Sequence, residues 1–73
     1  MNHIKKFRHQ SNLTQTELAQ FCGITKAAIS NYEQGTRTPR LKHLVLMVKT
    51  FNENGAECLL SDIYPPEEYK HAS

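Results

Sequence analysis

The chain has 73 residues and a formal net charge of +2. This length allows one small domain and leaves no room for a substrate domain beside a separate binding domain. No apolar run approaches the ~20 residues of a membrane-spanning helix. The first residues, MNHIKKFRHQ, lack the apolar segment of a secretory signal, so we expect a cytosolic protein with no membrane contact.

The charge is unevenly distributed along the chain. Met1–Thr50 holds eight basic and two acidic side chains, whereas Phe51–Ser73 holds one basic and five acidic ones. A basic body with an acidic end is typical of a protein that binds a polyanion with one face and keeps its other end away from it.

The cysteines and histidines do not indicate a metal centre. Cys22 and Cys58 are far apart in sequence, and the four histidines do not pair with them at the spacing of a zinc site. We expect reduced thiols, no metal and no cofactor. No nucleophile and base stand at a readable spacing and there is no glycine-rich phosphate loop, so we expect no enzymatic activity.

The first two helices are indicated by apolar spacing and by a capping signal. Ile4 and Phe7 predict a helix over about Asn2–Gln10. The T-Q-T-E run that begins at Thr14 is a capping box, which predicts a second helix over Gln15–Cys22. Gly23 follows, where a left-handed residue ends the helix.

The third and fourth helices follow from similar signals. Thr25 can cap a third helix that continues to Gly35, and Thr38-Pro39 can start the fourth. A strong 3.6-residue apolar stripe makes the fourth helix the main core helix, ending at Asn54-Gly55. The stripe consists of Leu41, Leu44, Val45, Met47, Val48 and Phe51.

The sequence allows two predictions for the end of the chain. Residues 56–64 form either a fifth helix, capped within Asn54–Glu57 and running through Ser61, or a short strand over Cys58–Tyr64 that pairs across a dimer. Residues 65–73 start with two prolines, are polar and acidic, and are expected to form a flexible tail.

The segment from Gln15 to Gly35 carries the functional signal. Two short helices joined at Gly23 must cross closely, and the small Ala19 suits the crossing. Ile29 and Tyr32 can pack the third helix onto the second, which leaves the other face of the third helix free to enter a DNA major groove.

At this point the sequence resembles the lambdoid repressor and Cro type of helix-turn-helix, also called the xenobiotic-response-element family. The resemblance covers about Ile4 to Phe51. It implies an all-α fold, a compact bundle of four or five helices with a possible C-terminal strand at a dimer interface, and a DNA-binding domain over residues 1–55. The matching positions are Leu13-Thr14-Gln15, Glu17-Leu18-Ala19, Gly23-Ile24-Thr25, Ile29-Ser30, Glu33, Gly35, Arg37, Pro39, Leu41 and Leu44.

The resemblance also implies roles for individual residues. Base-reading positions are Thr25, Lys26, Ala27, Ser30 and Asn31, although Asn31 could contact phosphate instead. Phosphate-binding positions are Gln15, Thr36, Arg37, Arg40 and Lys42. An ion pair between Arg8 and Glu33 is implied to tie the first helix to the end of the third.

Two departures from the family pattern bear on the outer elements. Arg40 stands where the family often has Ser or Asp, so we expect the cap of the fourth helix to move to Thr38. The link over residues 52–55 is longer and more polar than usual. Residues 56–64 are expected to mediate dimerisation, through Cys58, Leu59, Leu60, Ile63 and Tyr64.

These observations favour a transcriptional regulator of double-stranded DNA, a phage Cro-like repressor that binds a pseudo-palindromic operator as a homodimer in the bacterial cytosol. One alternative is the antitoxin of a toxin–antitoxin pair, with the acidic tail binding the toxin. Another is a protein-interaction module that does not bind DNA.

Overall fold

The computed structural model describes residues 2–64, which form an all-helical bundle, as predicted. In chain order the helices are α1 (Ile4–Gln10), α2 (Gln15–Cys22), α3 (Lys26–Gln34), α4 (Leu41–Glu53) and α5 (Leu60–Ile63). No strand occurs within these residues. The acidic tail expected over residues 65–73 lies outside the described residues.

Helix α1 begins at Ile4, two residues later than predicted. The reason is the side chain of Asn2, whose Oδ1 accepts a hydrogen bond from the Ile4 backbone N–H at 3.1 Å. The Nδ2 of Asn2 donates to the carbonyl of Tyr32, near the end of α3, at 2.8 Å. Asn2 therefore joins the start of the chain to the third helix.

Helices α2 and α3 confirm the predicted capping signals. The Thr14 hydroxyl accepts from the Glu17 backbone N–H at 3.1 Å, and the Glu17 carboxylate accepts from the Thr14 N–H at 2.9 Å. Gly23 ends α2 with a φ of +68°, and Gly35 ends α3 with a φ of +80°. The Thr25 hydroxyl accepts from the Ala28 N–H and so caps α3.

Helix α4 begins later than predicted, and the expected cap at Thr38 is wrong. Arg40 occupies the capping position with an extended backbone, and its side chain makes no capping hydrogen bond. The ring of Pro39 is fully buried. Because that ring is buried, residues 38–40 form no helical turn, and the helix starts at Leu41.

The core uses only part of the apolar stripe on α4. Leu44, Met47 and Phe51 are fully or almost fully buried, but Leu41 and Val45 remain 54% and 53% exposed. The expectation that all six stripe residues are core is therefore wrong for these two. The packed helices lie against α4 on the side of Leu44, Met47 and Phe51, and no other helix within residues 2–64 covers the side of Leu41 and Val45.

The segment after α4 folds back onto the helical bundle. Asn52 holds it there: its Oδ1 accepts from the Cys58 N–H at 3.1 Å, and its Nδ2 donates to the Cys58 carbonyl at 2.7 Å. A single helical turn then follows, with the Asp62 carboxylate accepting from the Leu59 N–H. The strand alternative is wrong, and the fifth helix is shorter and later than the predicted one.

None of the helices within residues 2–64 is long and apolar enough to cross a membrane.

Candidate nucleic-acid interface

The exposed face of α3 begins immediately after the turn at Gly23. Thr25, Lys26 and Ala27 are exposed, whereas Ile29 and Tyr32 are buried against the rest of the bundle. The buried pair fixes the orientation of the helix, so its first turn projects from the surface. The structure thus presents three of the five predicted base-reading residues to the solvent.

The other two predicted base-reading residues are half-buried and hydrogen-bonded. Ser30 Oγ accepts from Gln34 Nε2 at 3.2 Å. The Thr36 hydroxyl lies 3.2 Å from both Asn31 Oδ1 and the Asn31 backbone carbonyl and shares its one proton between them, which leaves the Asn31 Nδ2 group as the donor available to a ligand. A carbonyl oxygen has two lone pairs, so Asn31 can still accept a second hydrogen bond beside that of Thr36.

A polar network lies beneath the start of α2. Arg8 Nε donates to Glu33 Oε2 at 2.6 Å, and Arg8 Nη2 donates to Glu33 Oε1 at 3.2 Å. The two side chains are only 11% and 4% exposed. Arg8 Nη1 also donates to the Leu13 carbonyl at 2.9 Å, so this arginine joins α1, the loop before α2 and the end of α3.

Gln15, the predicted phosphate-binding residue, belongs to the same network. Its Nε2 donates to Glu33 Oε1 at 3.0 Å. One N–H of the Gln15 amide is used in this way, and the second N–H remains available. The sequence predicted Arg8 and Glu33 as an ion pair and Gln15 as a phosphate-binding residue, but not the contact between Glu33 and Gln15.

An open depression of about 480 Å³ lies where these elements meet. It combines the first residues of α2, whose backbone N–H groups favour an anion, with basic side chains from α1 and α3. His9, Asn12 and Thr16 also line this depression and were not predicted from the sequence; the positive φ of Asn12 (+57°) is visible only in the structure. The lining residues are Arg8, His9, Asn12, Leu13, Thr14, Gln15, Thr16 and Lys26.

The loop between α3 and α4 and the first turn of α4 carry the other predicted phosphate-binding residues. Thr36, Arg37, Arg40 and Lys42 are all exposed. The first turn of α4 contains no acidic residue. Positive side chains at a helix N-terminus oppose the helix dipole, so Arg40 and Lys42 do not serve the stability of α4. Residues that are unfavourable to the stability of their own helix are typical of binding sites.

Of the five residues predicted at the dimer interface, three are buried and two are exposed. Cys58, Ile63 and Tyr64 are buried in the core of the bundle, while Leu59 and Leu60 are 68% and 38% exposed. Burial raises the pKa of both thiols, that of Cys58 to about 11 with a further contribution from the charge of Asp62. Both cysteines are free and buried, so they act as small apolar core residues.

Comparison with known proteins agrees with this geometry. The chain is 30% identical to the antitoxin PezA of Streptococcus pneumoniae over 93% of its own length and 44% of that protein's. It is 44% identical over 59% of its length to the uncharacterized HTH-type transcriptional regulator YqaE of Bacillus subtilis, of which it covers 37%. The chain thus spans less than half the length of these two relatives.

A third relative is similar in length. It is an uncharacterized HTH-type transcriptional regulator of Archaeoglobus fulgidus, 34% identical over 81% of the chain and 83% of that protein. No solved structure matches the chain significantly. A helix-turn-helix family model matches residues 4–57, which include α1 to α4 and the loop after them. The chain therefore belongs to the Cro/C1-type helix-turn-helix family.

Proposed function

We propose that this protein is a sequence-specific regulator of transcription, a repressor that binds a pseudo-palindromic operator in double-stranded DNA as a homodimer. The observation that carries the proposal is the exposed first turn of α3 beside the basic depression at the start of α2. A helix presented in this way fits the major groove, while the helix before it lies across the phosphate backbone.

The side chains on α3 have the chemistry needed to read base edges. The Lys26 ammonium can donate to O6 and N7 of guanine, and the methyl group of Ala27 can contact that of thymine. Asn31 can pair with N6 and N7 of adenine through its free Nδ2 and the second lone pair of its Oδ1. Ser30 and Thr25 can bond with either kind of base edge.

Phosphate contacts fix the register of the protein on the duplex. Gln15 has one amide N–H oriented by Glu33 and a second one free, next to the positive end of α2. The remaining members of the proposed phosphate-binding set are Thr36, Arg37, Arg40 and Lys42. A bound dimer represses by covering the promoter in the bacterial cytosol, and it is controlled by its own concentration or by a partner protein.

The experiment is binding to the DNA that flanks the protein's own gene, compared with a random duplex of equal length over a series of salt concentrations. We expect at least ~10³-fold tighter binding to the specific site. Lys26→Ala is expected to lose most of this ratio, and Lys5→Ala, which changes an exposed lysine on α1, is the matched control. Equal affinity for both duplexes would contradict sequence reading, and no binding at low salt would favour a protein-interaction module.

A second candidate function is that of an antitoxin that represses its own operon and binds a toxin. The similarity to the antitoxin PezA over 93% of the chain favours it. Co-expression with the product of the neighbouring gene separates the two functions. A stoichiometric complex that survives purification would support the antitoxin function, and its absence would favour a simple repressor.

A further inference from the structure

Asn31 lies on the side of α3 that is proposed to read bases. It follows the exposed Ala27 by four residues, which places the two side chains in one row along the helix, and it is half-buried. An asparagine amide has a donor end, Nδ2, and an acceptor end, Oδ1. The end that faces the groove therefore determines which base edges Asn31 can bind.

Thr36 holds the acceptor end of this amide. Its hydroxyl lies 3.2 Å from Asn31 Oδ1 and 3.2 Å from the Asn31 backbone carbonyl. Both of these oxygen atoms only accept hydrogen bonds, so the hydroxyl proton is directed toward them. Because Oδ1 is turned toward Thr36, Nδ2 is the end of the Asn31 amide that stays available to a ligand.

The backbone brings Thr36 to this place without the help of its hydroxyl. Gly35 ends α3 with a φ of +80°, and this left-handed residue turns the chain back toward the last turn of the helix. The Thr36 N–H then donates to the Asn31 carbonyl at 3.0 Å, and the Arg37 N–H donates to the same oxygen at 3.4 Å. A substitution that removes only the hydroxyl is therefore expected to leave the loop in place.

We propose that Thr36 is a positioning residue for base reading, which turns the Asn31 amide so that its donor end faces the major groove. The inference rests on the proposed function and deepens it, because it assigns a base preference to one position of the operator. It also replaces the phosphate contact expected of Thr36 from the sequence. A phosphate oxygen needs a donor, and both donors of Thr36, its N–H and its hydroxyl, are directed at Asn31.

A donor that faces the major groove selects bases by the groups on their edges. Guanine presents acceptors at O6 and N7, adenine at N7 and thymine at O4, whereas cytosine presents only its N4 donor. The Asn31 Nδ2 group can bond with the first three and is placed against another donor at cytosine. The adenine pair remains compatible with this orientation, because Oδ1 keeps a second lone pair for N6. Cytosine is therefore the base that we expect to be excluded at the edge that Asn31 faces.

The first test measures the affinity of the full chain for operators that carry each of the four bases at every position of a half-site. Asn31→Ala identifies the position that Asn31 reads, because the preference among the four bases is lost there. At that position the wild type is expected to bind cytosine at least about tenfold more weakly than the preferred base. A wild type that prefers cytosine there, or an Asn31→Ala variant that changes no position, would overturn the proposal.

Two variants of Thr36 separate positioning from a phosphate contact. Thr36→Val removes the hydroxyl and keeps the shape of the side chain, whereas Thr36→Ser keeps the hydroxyl. We expect Thr36→Val to reduce the discrimination against cytosine by about threefold or more at the position of Asn31 and at no other, and Thr36→Ser to retain it. Loss of a phosphate contact would instead weaken binding uniformly across sequences. An unchanged ratio in Thr36→Val, with or without such a uniform loss, would overturn the proposal.

The free protein provides a test that does not depend on DNA. Nitrogen NMR relaxation of the Asn31 side-chain amide gives an order parameter, which measures how firmly the group is held. We expect a lower value in Thr36→Val than in the wild type and Thr36→Ser, while the amide of Asn52, bonded to the Cys58 backbone, is unchanged. Equal values for Asn31 in all three proteins would overturn the contact whatever the DNA result. A firmly held amide in a protein without sequence-specific binding would support the contact and contradict the regulator.

Discussion

The side-chain amide of Gln15 donates to Glu33 Oε1 at 3.0 Å, and the same carboxylate accepts two hydrogen bonds from Arg8. The contact joins the first residue of α2 to the last turn of α3. The amide proposed to bind phosphate is therefore oriented by the helix proposed to read bases. A change at Glu33 is expected to affect both stability and DNA affinity.

We expect Glu33→Gln to lower the free energy of unfolding by about 2–3 kcal/mol, because it leaves the Arg8 guanidinium, 11% exposed, without its counter-charge. Thermal or urea denaturation measures the loss. Glu57→Gln, which removes a carboxylate from an exposed position, is the control and is expected to leave the midpoint unchanged. Equal midpoints for the wild type and Glu33→Gln would show that the pair contributes nothing to the stability of the fold.

Two substitutions at Gln15 test its proposed phosphate contact and its hydrogen bond to Glu33. Gln15→Ala removes one hydrogen bond to a charged phosphate, worth about 1.5–3 kcal/mol, so DNA affinity is expected to fall about tenfold or more. Gln15→Glu places a second carboxylate against Glu33 and is expected to weaken both folding and DNA binding. Fluorescence anisotropy with a labelled operator and urea denaturation measure the two effects.

The salt dependence distinguishes Gln15 from the charged positions. Because glutamine is neutral, Gln15→Ala is expected to leave the slope of log affinity against log salt unchanged, whereas Arg37→Gln reduces that slope by about one. If Gln15→Ala leaves the affinity itself unchanged, the phosphate contact of Gln15 is wrong.

The local signals of the sequence were sufficient for α2 and α3. The capping box at Thr14, the cap at Thr25 and the left-handed glycine at Gly23 are determined by residues within one helical turn, and all three predictions are confirmed. Pattern and spacing therefore predicted the helix-turn-helix itself.

The errors occur where tertiary contacts override local preference. Burial of Pro39 delays the start of α4, and the hydrogen bonds of Asn52 to Cys58 hold a segment that was interpreted as a strand or a longer helix. The exposure of Val45 likewise depends on how many neighbours cover α4. The contact between Gln15 and Glu33 joins residues 18 positions apart and has no pattern of its own in the sequence.

Gly23 is a point where backbone conformation alone determines the effect of a substitution. Its φ is +68°, and a Cβ added there would meet no atom within 4 Å. Gly23→Ala is therefore expected to lower the free energy of unfolding by about 1–2 kcal/mol through backbone strain, without a steric clash. Gly23→Asn is expected to cost less, because asparagine tolerates the left-handed region better. Equal losses in the two variants would contradict this explanation.

Cys58 is expected to make the protein less stable at alkaline pH. Burial, and secondarily the charge of Asp62, raises the pKa of its thiol from 9.0 to about 11 in the folded protein. Between these values the unfolded chain loses the thiol proton while the folded protein keeps it. The unfolded state then binds fewer protons, so the free energy of unfolding falls as the pH rises through this interval and is unaffected well below pH 9.

Cys58→Ser tests this effect, because serine fills nearly the same volume and does not titrate in this range. Urea denaturation at several pH values between 8 and 11 measures both proteins. Both proteins keep every other titratable group, including Cys22, whose pKa burial also raises. The difference between the two curves therefore isolates Cys58. We expect the wild type to lose stability more steeply than Cys58→Ser, and parallel curves would mean that the Cys58 thiolate is tolerated in the folded state.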